Sequence, residues 1–190
     1  MLTVILTGGK SSRMGSDKAM LPVAGVPMAR LLAERFRAAG FRVAFSVDRV
    51  GRLPLEGTRE LPDAFPGQGP LNALYSAFTQ TDEQTVFCTA TDLPGADPAL
   101  AERLLAMLGD CDACLIRRAD GRTEPLFGVY TRRCLPEAER CLRSGRRAMR
   151  AMLETLRVRW ADEAELPEWD LSRVLRNVNT PGEYAALTGD

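Results

Sequence analysis

The chain has 190 residues, 45% of them hydrophobic and 26% charged, a composition typical of a soluble globular protein. Its 25 lysines and arginines balance 25 aspartates and glutamates, so the formal net charge is zero. A neutral chain lacks the basic field of nucleic-acid and anionic-membrane binders, and we expect neither as a partner. No apolar stretch approaches the roughly 20 residues of a membrane span, and no signal peptide is recognisable, which predicts a cytoplasmic protein. The length predicts a single domain, residues 1–190.

The five cysteines are an odd number without the spacing of a small secreted protein, so reduced thiols are expected. Cys111 and Cys114 form a C-x-x-C, but the chain has no histidine and no second ligand pair. Thiols that serve as small hydrophobic side chains are therefore preferred over a zinc or redox site.

Strands and helices are predicted to alternate along the chain. The apolar run Leu2–Leu6 indicates a buried first strand, and Pro27 opens a helix that Gly40 ends. A second strand over Phe41–Val47 precedes a loop-rich region from Arg49 to Pro70. The later predictions are a helix at Leu71–Phe78, a strand at Thr85–Ala90, a helix from the N-cap Asp97 to about Leu108, strands at Ala113–Arg117 and Pro125–Tyr130, helices near Leu135–Leu142 and Arg147–Leu156, a strand near Val158–Ala161 and a short last helix.

This alternation predicts an α/β fold with a mostly parallel sheet and right-handed crossovers. Ligands of such sheets bind outside the carboxyl ends of the strands. The rule selects the loops that begin at Thr7, Asp48, Asp63 and Asp92. We therefore expect three aspartates and a Gly-rich loop to converge on one edge of the sheet.

The Gly-rich loop is the stretch "LTGGKSSRMGSDKAML", which follows the first strand and carries Lys10, Arg13 and Lys18 against a single acid. Glycines let the backbone approach an anion closely, and basic side chains add charge-assisted hydrogen bonds to phosphate. The pattern therefore favours a phosphate-binding loop over a solvated turn, although Lys10 alone fits either interpretation.

Two familiar phosphate-binding motifs are excluded. In a Walker loop the second glycine precedes lysine and Ser/Thr, whereas Gly15 precedes Ser16 and Asp17. A dinucleotide fingerprint has an acid about 20 residues on, whereas the strand-end acid Asp48 lies much further from Gly9. A dehydrogenase is therefore disfavoured.

The stretch "LTGGKSSRMGSDKAMLPVAGVPM" resembles the L-A-G-G-x-[S]-x-R-M-G-x-D-K-x-x-L-x-x-x-G-x-P-[LM] signature of the nucleotidyltransferases related to molybdenum cofactor guanylyltransferase. Further blocks follow in the family's order: "DAFPGQGPLNAL", "TDLP", "EPLFGVY", "SGRRAMRAML" and "NVNTPGEY". Together they span nearly the whole chain. The first block is specific to the superfamily, and the last three favour the guanylyltransferase branch.

The resemblance implies a Rossmann-like three-layer αβα nucleotidyltransferase fold. It also implies transfer of GMP from GTP to the terminal phosphate of molybdopterin, with Mg²⁺ as cofactor and pyrophosphate as the second product. A molybdoenzyme or its chaperone is a further implied partner. The residues suit this chemistry, because the acceptor phosphate is itself the nucleophile and no histidine base is needed. What the reaction needs is positive charge, a metal and in-line positioning of two anions.

Matching positions supply the expected site residues. The resemblance implies Arg13, Lys18 and Asp92 as catalytic residues, with Asp92 as the Mg²⁺ ligand. The implied GTP contacts are Leu6, Thr7, Gly8, Gly9, Lys18, Ser46, Asp63 and Asp92, and the implied acceptor contacts are Arg146, Arg147, Asn177 and Asn179.

Purely structural roles stay open for several of these residues. Asp63 and Asp92 also suit turns, and the two arginines also suit an exposed helix face. The pattern Thr180-x-x-Glu183 is a capping box, which explains the segment that contains Asn177 and Asn179 without any function.

Three positions depart from the family pattern. Thr7 replaces an alanine, which is harmless if only its backbone makes contacts. Ser46 replaces an asparagine that contacts the nucleotide, a role that Asp48 could take over. Glu124 replaces a histidine, and a carboxylate there repels phosphate unless it faces away or joins the metal site.

Other functions remain open at this stage. The near alternatives are a cytidylyltransferase for the same cofactor and a sugar-phosphate nucleotidyltransferase. The alternative of a different class is a catalytically silent nucleotide-binding module.

Overall fold

The computed structural model describes residues 1–7, 18–23, 25–53, 55, 57–179 and 183–184. The strands are β1 (Leu2–Leu6), β2 (Pro22–Val23), β3 (Val26–Pro27), β4 (Arg42–Val47), β5 (Arg59–Pro62), β6 (Thr85–Ala90), β7 (Ala113–Arg117), β8 (Thr123–Thr131) and β9 (Val158–Asp162). The helices are α1 (Met28–Ala38), α2 (Pro70–Thr79), α3 (Pro98–Met107), α4 (Leu135–Arg143), α5 (Met149–Leu153) and α6 (Leu171–Val174). None of the helices within these ranges is long and apolar enough to cross a membrane.

The central layer is a seven-stranded sheet with the order β5-β4-β1-β6-β8-β7-β9. Strand β1 pairs in parallel with β4 on one side and with β6 on the other. Strand β8 runs antiparallel to both β6 and β7, and the remaining pairs of this sheet are parallel. The mostly parallel sheet predicted from the sequence is therefore confirmed.

Helices cover both faces of the sheet and give the fold three layers. One apolar cluster contains residues of α1, α3 and α6, and a second contains residues of α2, α4 and α5. Strand β1 supplies both clusters, since Ile5 faces the first and Val4 the second, and each is completely buried. The Rossmann-like αβα architecture is thus confirmed.

The signals at the helix ends behave as predicted. Pro27 directly precedes α1, and Gly40 follows it with φ +85°, a conformation that favours glycine. The Asp97 carboxylate accepts a 2.8 Å hydrogen bond from the backbone N–H of Ala99, so Asp97 is the N-cap of α3.

Strand β5 corrects the prediction of a continuous loop between Arg49 and Pro70. It contains Arg59, Glu60 and Pro62 around one buried residue, Leu61, and it pairs on one side only. An edge strand tolerates proline and charged residues. These residues remove the alternation of apolar and polar side chains by which a strand is predicted from the sequence. Helix α6 was also missed, and the helix predicted over Arg147–Leu156 is shorter, Met149–Leu153.

The cysteines are free thiols, and four of the five are buried. Cys114 lies in β7, and Cys111 packs against the same apolar cluster. This placement agrees with the prediction that the C-x-x-C pair fills space as small hydrophobic side chains.

Strand β1 is the point where the direction of the crossovers reverses. The chain passes from β1 to β4 and β5 on one side, and then to β6 on the other. In open α/β sheets such a reversal leaves a crevice at the carboxyl ends of the strands, where ligands bind. Here the crevice lies between the ends of β1 and β6.

A close backbone approach fixes the turn that follows β6. A Cβ atom on Gly95 would lie 2.6 Å from the carbonyl oxygen of Arg173 and 3.1 Å from that of Val174. Arg35 of α1 donates to the carbonyls on either side of this glycine, those of Pro94 at 2.6 Å and Ala96 at 3.0 Å. The turn therefore brings α6 and the segment after it against the end of β6.

We expect Gly95→Ala to lower the free energy of unfolding by about 1–3 kcal/mol, because the added methyl group overlaps backbone atoms that cannot rotate away. Chemical denaturation measures this loss. Hydrogen exchange of the Val178 amide, which is bonded to the carbonyl of Asp92, should accelerate in the same variant. Gly121→Ala is the control, since its Cβ would meet nothing within 4 Å and its cost is confined to backbone strain at φ +81°. Equal Val178 exchange in both variants would contradict the packing argument.

Candidate active site

Four parallel strands end at the same edge of the sheet. Thr7 directly follows β1, Asp48 follows β4, Asp63 follows β5, and Asp92 lies two residues beyond β6. The backbone N–H of Asp63 donates to Val47 at 2.9 Å, and that of Thr91 donates to Leu6 at 3.0 Å. The convergence of the three aspartates is thus as predicted.

Thr7 and Ser46, two of the departures from the family pattern, contact each other. Thr7 is buried, and its hydroxyl donates to the carbonyl oxygen of Ser46 at 2.6 Å while its backbone N–H donates to the same oxygen at 3.3 Å. The hydroxyl of Ser46 in turn donates to the Asp63 carboxylate at 3.5 Å. The short side chain at position 46 is therefore turned toward the end of β5.

Arg52 is a residue of this edge that the sequence analysis missed. Its Nη2 donates to the carbonyl oxygen of Thr7 at 2.8 Å, and its Nε lies 3.6 Å from Oδ1 of Asp48. Only 15% of its side chain is exposed. It lies in an irregular loop with no motif, so its contact with β1 had no signal in the sequence.

The loop after β5 is anchored to helix α2. The backbone N–H of Ala64 donates to Ser76 Oγ at 3.0 Å, and that of Phe65 donates to Asn72 Oδ1 at 2.8 Å. Both acceptors are fully buried on α2. These bonds fix the position of the Asp63 carboxylate relative to β4.

The Asp63 carboxyl has a raised pKa. Burial is the main cause and the neighbouring charge of Asp48 adds to it, while the hydrogen bond from Ser46 and the charge of Arg52 oppose the shift. Ionisation of Asp63 is therefore less favourable in the folded protein than in the unfolded chain.

Glu124 lies on the same edge as Asp92. Strand β8 begins at Thr123 and runs antiparallel to β6, so its first residues lie at the edge of the sheet where β6 ends. Burial raises the pKa of Glu124, and the charge of Asp92 raises it further, whereas the Leu126 N–H and Arg118 oppose the shift. Glu124 is therefore a neighbour of Asp92.

The segment that contains Asn177 and Asn179 is bound to the end of β6. The backbone N–H of Val178, between these two residues, donates to the carbonyl oxygen of Asp92 at 2.8 Å. The N–H of Asn179 donates to the carboxylate of Glu183 at 2.6 Å. The predicted capping box begins at Thr180, which lies outside the described residues. The segment thus has a structural anchor and also lies beside Asp92.

Arg146 and Arg147 lie in the exposed connection between α4 and α5. Arg146 forms an ion pair with Glu154 at 2.7 Å, and both side chains are exposed. The carbonyl oxygen of Arg147 lies 3.9 Å from the Cβ position of Gly69, next to the start of α2. The main chain of Arg147 therefore reaches the loop that carries Asp63.

Part of the predicted phosphate loop lies outside the described residues. This applies to Gly8, Gly9, Lys10 and Arg13 and to the side chain of Lys18. The backbone of Lys18 begins a 3₁₀ turn, Lys18–Met20, whose Ala19 is buried against the core.

Because its folded-state pKa is raised, Asp63 contributes stability that is fully present at acidic pH and is lost as the pH rises through that pKa. Asp63→Asn removes this dependence. We expect the stability of the wild type relative to the Asn variant to fall as the pH rises from 4 to 7. Thermal unfolding of the two proteins across this range checks the sign, and a difference that grows in the opposite direction would be incompatible with a raised pKa.

Comparisons with known proteins show the family to which the chain belongs. The family model for the MobA-like NTP transferase domain matches residues 3–161. A probable molybdenum cofactor guanylyltransferase of Carboxydothermus hydrogenoformans is 35% identical over 191 residues, covering 98% of this chain and 94% of that protein. One from Nostoc sp. is 31% identical over 197 residues, covering 100% and 91%. The crystal structure of molybdopterin-guanine dinucleotide biosynthesis protein A from Archaeoglobus fulgidus has a TM-score of 0.85 at 22% identity, covers 100% of this chain and 97% of that chain, and shares the fold. The chain belongs to the MobA-like NTP transferase family and is a nucleotidyltransferase.

Proposed function

We propose that the protein transfers GMP from GTP to the terminal phosphate of molybdopterin, with Mg²⁺ as cofactor and pyrophosphate as the second product. The observation that carries the proposal is the arrangement around Asp92. This carboxylate follows β6 at the crevice beside β1, and the Asn177–Asn179 segment is hydrogen-bonded to its backbone. The choice of a guanylyl group and of the molybdenum cofactor follows the names of two relatives that this chain matches over more than nine-tenths of their length.

The side chains near the end of β6 fit a magnesium ion. Asp92 and Glu124 offer hard carboxylate oxygens, the ligands that Mg²⁺ prefers. Among the described residues no three acidic or sulfur side chains form a complete cage. That suits Mg²⁺, which is commonly held by one or two carboxylates together with substrate phosphates and water. When bound, the ion would neutralise phosphate charge and hold the oxygens in position.

Basic side chains would stabilise the negative charge that develops on the phosphate oxygens during transfer. Arg13 and Lys18 are assigned to the triphosphate, with Gly8 and Gly9 supplying backbone N–H groups to phosphate oxygens. Leu6 and Thr7 place the base at the end of β1, with Ser46 and Asp63 beside it. A carbonyl oxygen has two lone pairs, so the Thr7 carbonyl can accept from a base in addition to Arg52. The Leu6 carbonyl accepts from the Thr91 N–H at 3.0 Å and from the Thr91 hydroxyl at 3.4 Å, and it can bind a base by exchanging the longer of these bonds.

The acceptor is assigned to the opposite side of the crevice. Asn177 and Asn179 lie beside Asp92 and can hydrogen-bond to an incoming pterin or its phosphate. Arg147, exposed next to Gly69, can bind the acceptor phosphate, and Arg146 can do so by exchanging its exposed partner Glu154. In this arrangement the two anions meet beside Asp92, where the attacking phosphate needs orientation and no side-chain base.

The test is pyrophosphate release with molybdopterin and each of GTP, CTP, ATP and UTP. We expect turnover with GTP, and we expect Asp92→Asn to reduce it at least about a hundredfold, the scale seen when one transition-state contact is removed. Asp97→Asn is the matched control, because Asp97 caps α3 and has no assigned role in transfer. A preference for CTP would replace the guanylyl assignment with a cytidylyl one. Full activity of the Asp92 variant would refute its role in transfer.

A second prediction concerns the metal directly. We expect Glu124→Gln to weaken Mn²⁺ binding by about tenfold, on the scale of lost ligand or supporting contacts at metal sites. Electron paramagnetic resonance of free Mn²⁺ measures this without any turnover. Glu102→Gln, on the exposed face of α3, removes the same charge elsewhere and should leave the affinity unchanged. Unchanged affinity in the Glu124 variant would separate this carboxylate from the metal site.

A further inference from the structure

Asn72 is a fully buried polar residue of helix α2 that contacts the loop after β5. Its Oδ1 accepts a 2.8 Å hydrogen bond from the backbone N–H of Phe65 and a 3.3 Å hydrogen bond from the hydroxyl of Ser76. The same hydroxyl oxygen of Ser76 accepts from the N–H of Ala64 at 3.0 Å. The carboxamide of Asn72 therefore lies against the two residues that follow Asp63 in the chain.

The nitrogen of this carboxamide has no use in the anchor. Nδ2 of Asn72 is buried and has no hydrogen-bond partner among the described residues. A buried amide donor without a partner is unfavourable, and most buried donors in native proteins are paired. The anchor of the loop thus explains Oδ1 and leaves Nδ2 without a structural role.

Asp63 is the group that Nδ2 can serve. Burial raises the pKa of the Asp63 carboxyl, and Asn72 is one of the neighbours that oppose this shift, as a nearby donor does. In the described part of the chain this carboxylate accepts one long hydrogen bond, 3.5 Å from the hydroxyl of Ser46. The donor and the acceptor therefore both lack a short bond, and a rotation of the Asp63 side chain can join them.

The charge state of Asp63 decides what it can bind. A carboxylate offers acceptors only, which suits the N–H groups of a base, whereas the protonated acid also presents an O–H donor. Burial and the charge of Asp48 favour the protonated form, and a bound base displaces water that stabilises the charge. A hydrogen bond from Nδ2 of Asn72 would compensate for that loss.

We propose that Asn72 is a positioning residue of the nucleotide site: its Oδ1 fixes the loop after β5, and its Nδ2 donates to the Asp63 carboxylate in the nucleotide complex, so that Asp63 stays ionised and presents an acceptor to the base. This inference rests on the proposed function, in which Asp63 lies beside the base of GTP.

The first test is calorimetric binding of GTP in the presence of Mg²⁺, with the wild type, Asn72→Leu and Asn72→Asp. Asn72→Leu has a similar size but no donor, and it should bind GTP about tenfold to a hundredfold more weakly, on the scale of a hydrogen bond to a charged group. Equal affinity in the wild type and in Asn72→Leu would overturn the inference.

Asn72→Asp keeps an acceptor for the Phe65 N–H, so the anchor of the loop is retained, but it replaces the donor with a second oxygen. Its GTP affinity should be low at alkaline pH and should recover as the pH falls, because the new carboxyl group can donate to Asp63 once it is protonated. The wild type should show no such gain, since its Asp63 loses charge at acidic pH. A pH dependence of the same sign in both proteins would contradict the role of Nδ2.

The second test measures Asp63 itself, by carbon-13 NMR titration of its carboxyl group in the free protein. Asn72→Leu should raise the pKa of Asp63, because one of the groups that oppose the shift is removed. The charged groups that act on Asp63, Asp48 and Arg52, are unchanged in this variant. An unaltered Asp63 pKa would overturn the inference.

Ser76→Ala is the matched control for a loosened loop. It removes the acceptor of the Ala64 N–H on the same helix but leaves Nδ2 of Asn72 in place. It should lower the free energy of unfolding without raising the pKa of Asp63. A loss of GTP affinity as large as that of Asn72→Leu would mean that both residues only hold the loop, and would also overturn the inference.

The two proposals fail in different ways. If the wild type binds GTP and Asn72→Leu binds it equally well, the role of Asn72 falls while the proposed function stands. If the wild type binds another nucleotide in place of GTP, guanylyl transfer falls. The role of Asn72 is then decided by whether Asn72→Leu weakens the binding of that nucleotide.

Discussion

The parallel pairing of β1 with β4 and β6 is the constraint on which the site depends. Parallel strands present all their carboxyl ends at one edge, so residues far apart in sequence become neighbours there. The fully buried faces of β1 leave this strand no freedom to slip, because a shift of one residue would exchange Val4 and Ile5 between the two cores. The position of Thr7 relative to Ser46 and Thr91 follows from that register.

Charge is divided along the edge. On the β4 and β5 side an arginine, Arg52, lies near the carboxylates of Asp48 and Asp63. On the β6 and β8 side Asp92 and Glu124 are near each other, and the raised pKa of Glu124 reflects burial and that neighbouring charge. Two neighbouring carboxylates disfavour the ionised form of each other, and burial adds to this cost.

Much of the fold and part of the site could be predicted from local patterns. The apolar run of β1, the capping aspartate of α3 and the glycine after α1 each report a physical preference that the neighbouring residues alone express. Strand β5 could not be found in this way, because an edge strand that contains arginine, glutamate and proline lacks a hydrophobic period. Arg52 was missed for a related reason, since its partner Thr7 lies 45 residues earlier in the chain and no spacing rule joins them.

The sequence by itself determined the fold class, the family and the identity of the acids at the strand ends, because buried runs, helix signals and contiguous motifs are local properties. The tertiary structure decided which side chains meet: Arg52 with Thr7 and Asp48, Ser46 with Asp63, and Glu124 with Asp92. These contacts depend on strand register and on the paths of loops, which are set by the packing of the whole core rather than by any short segment.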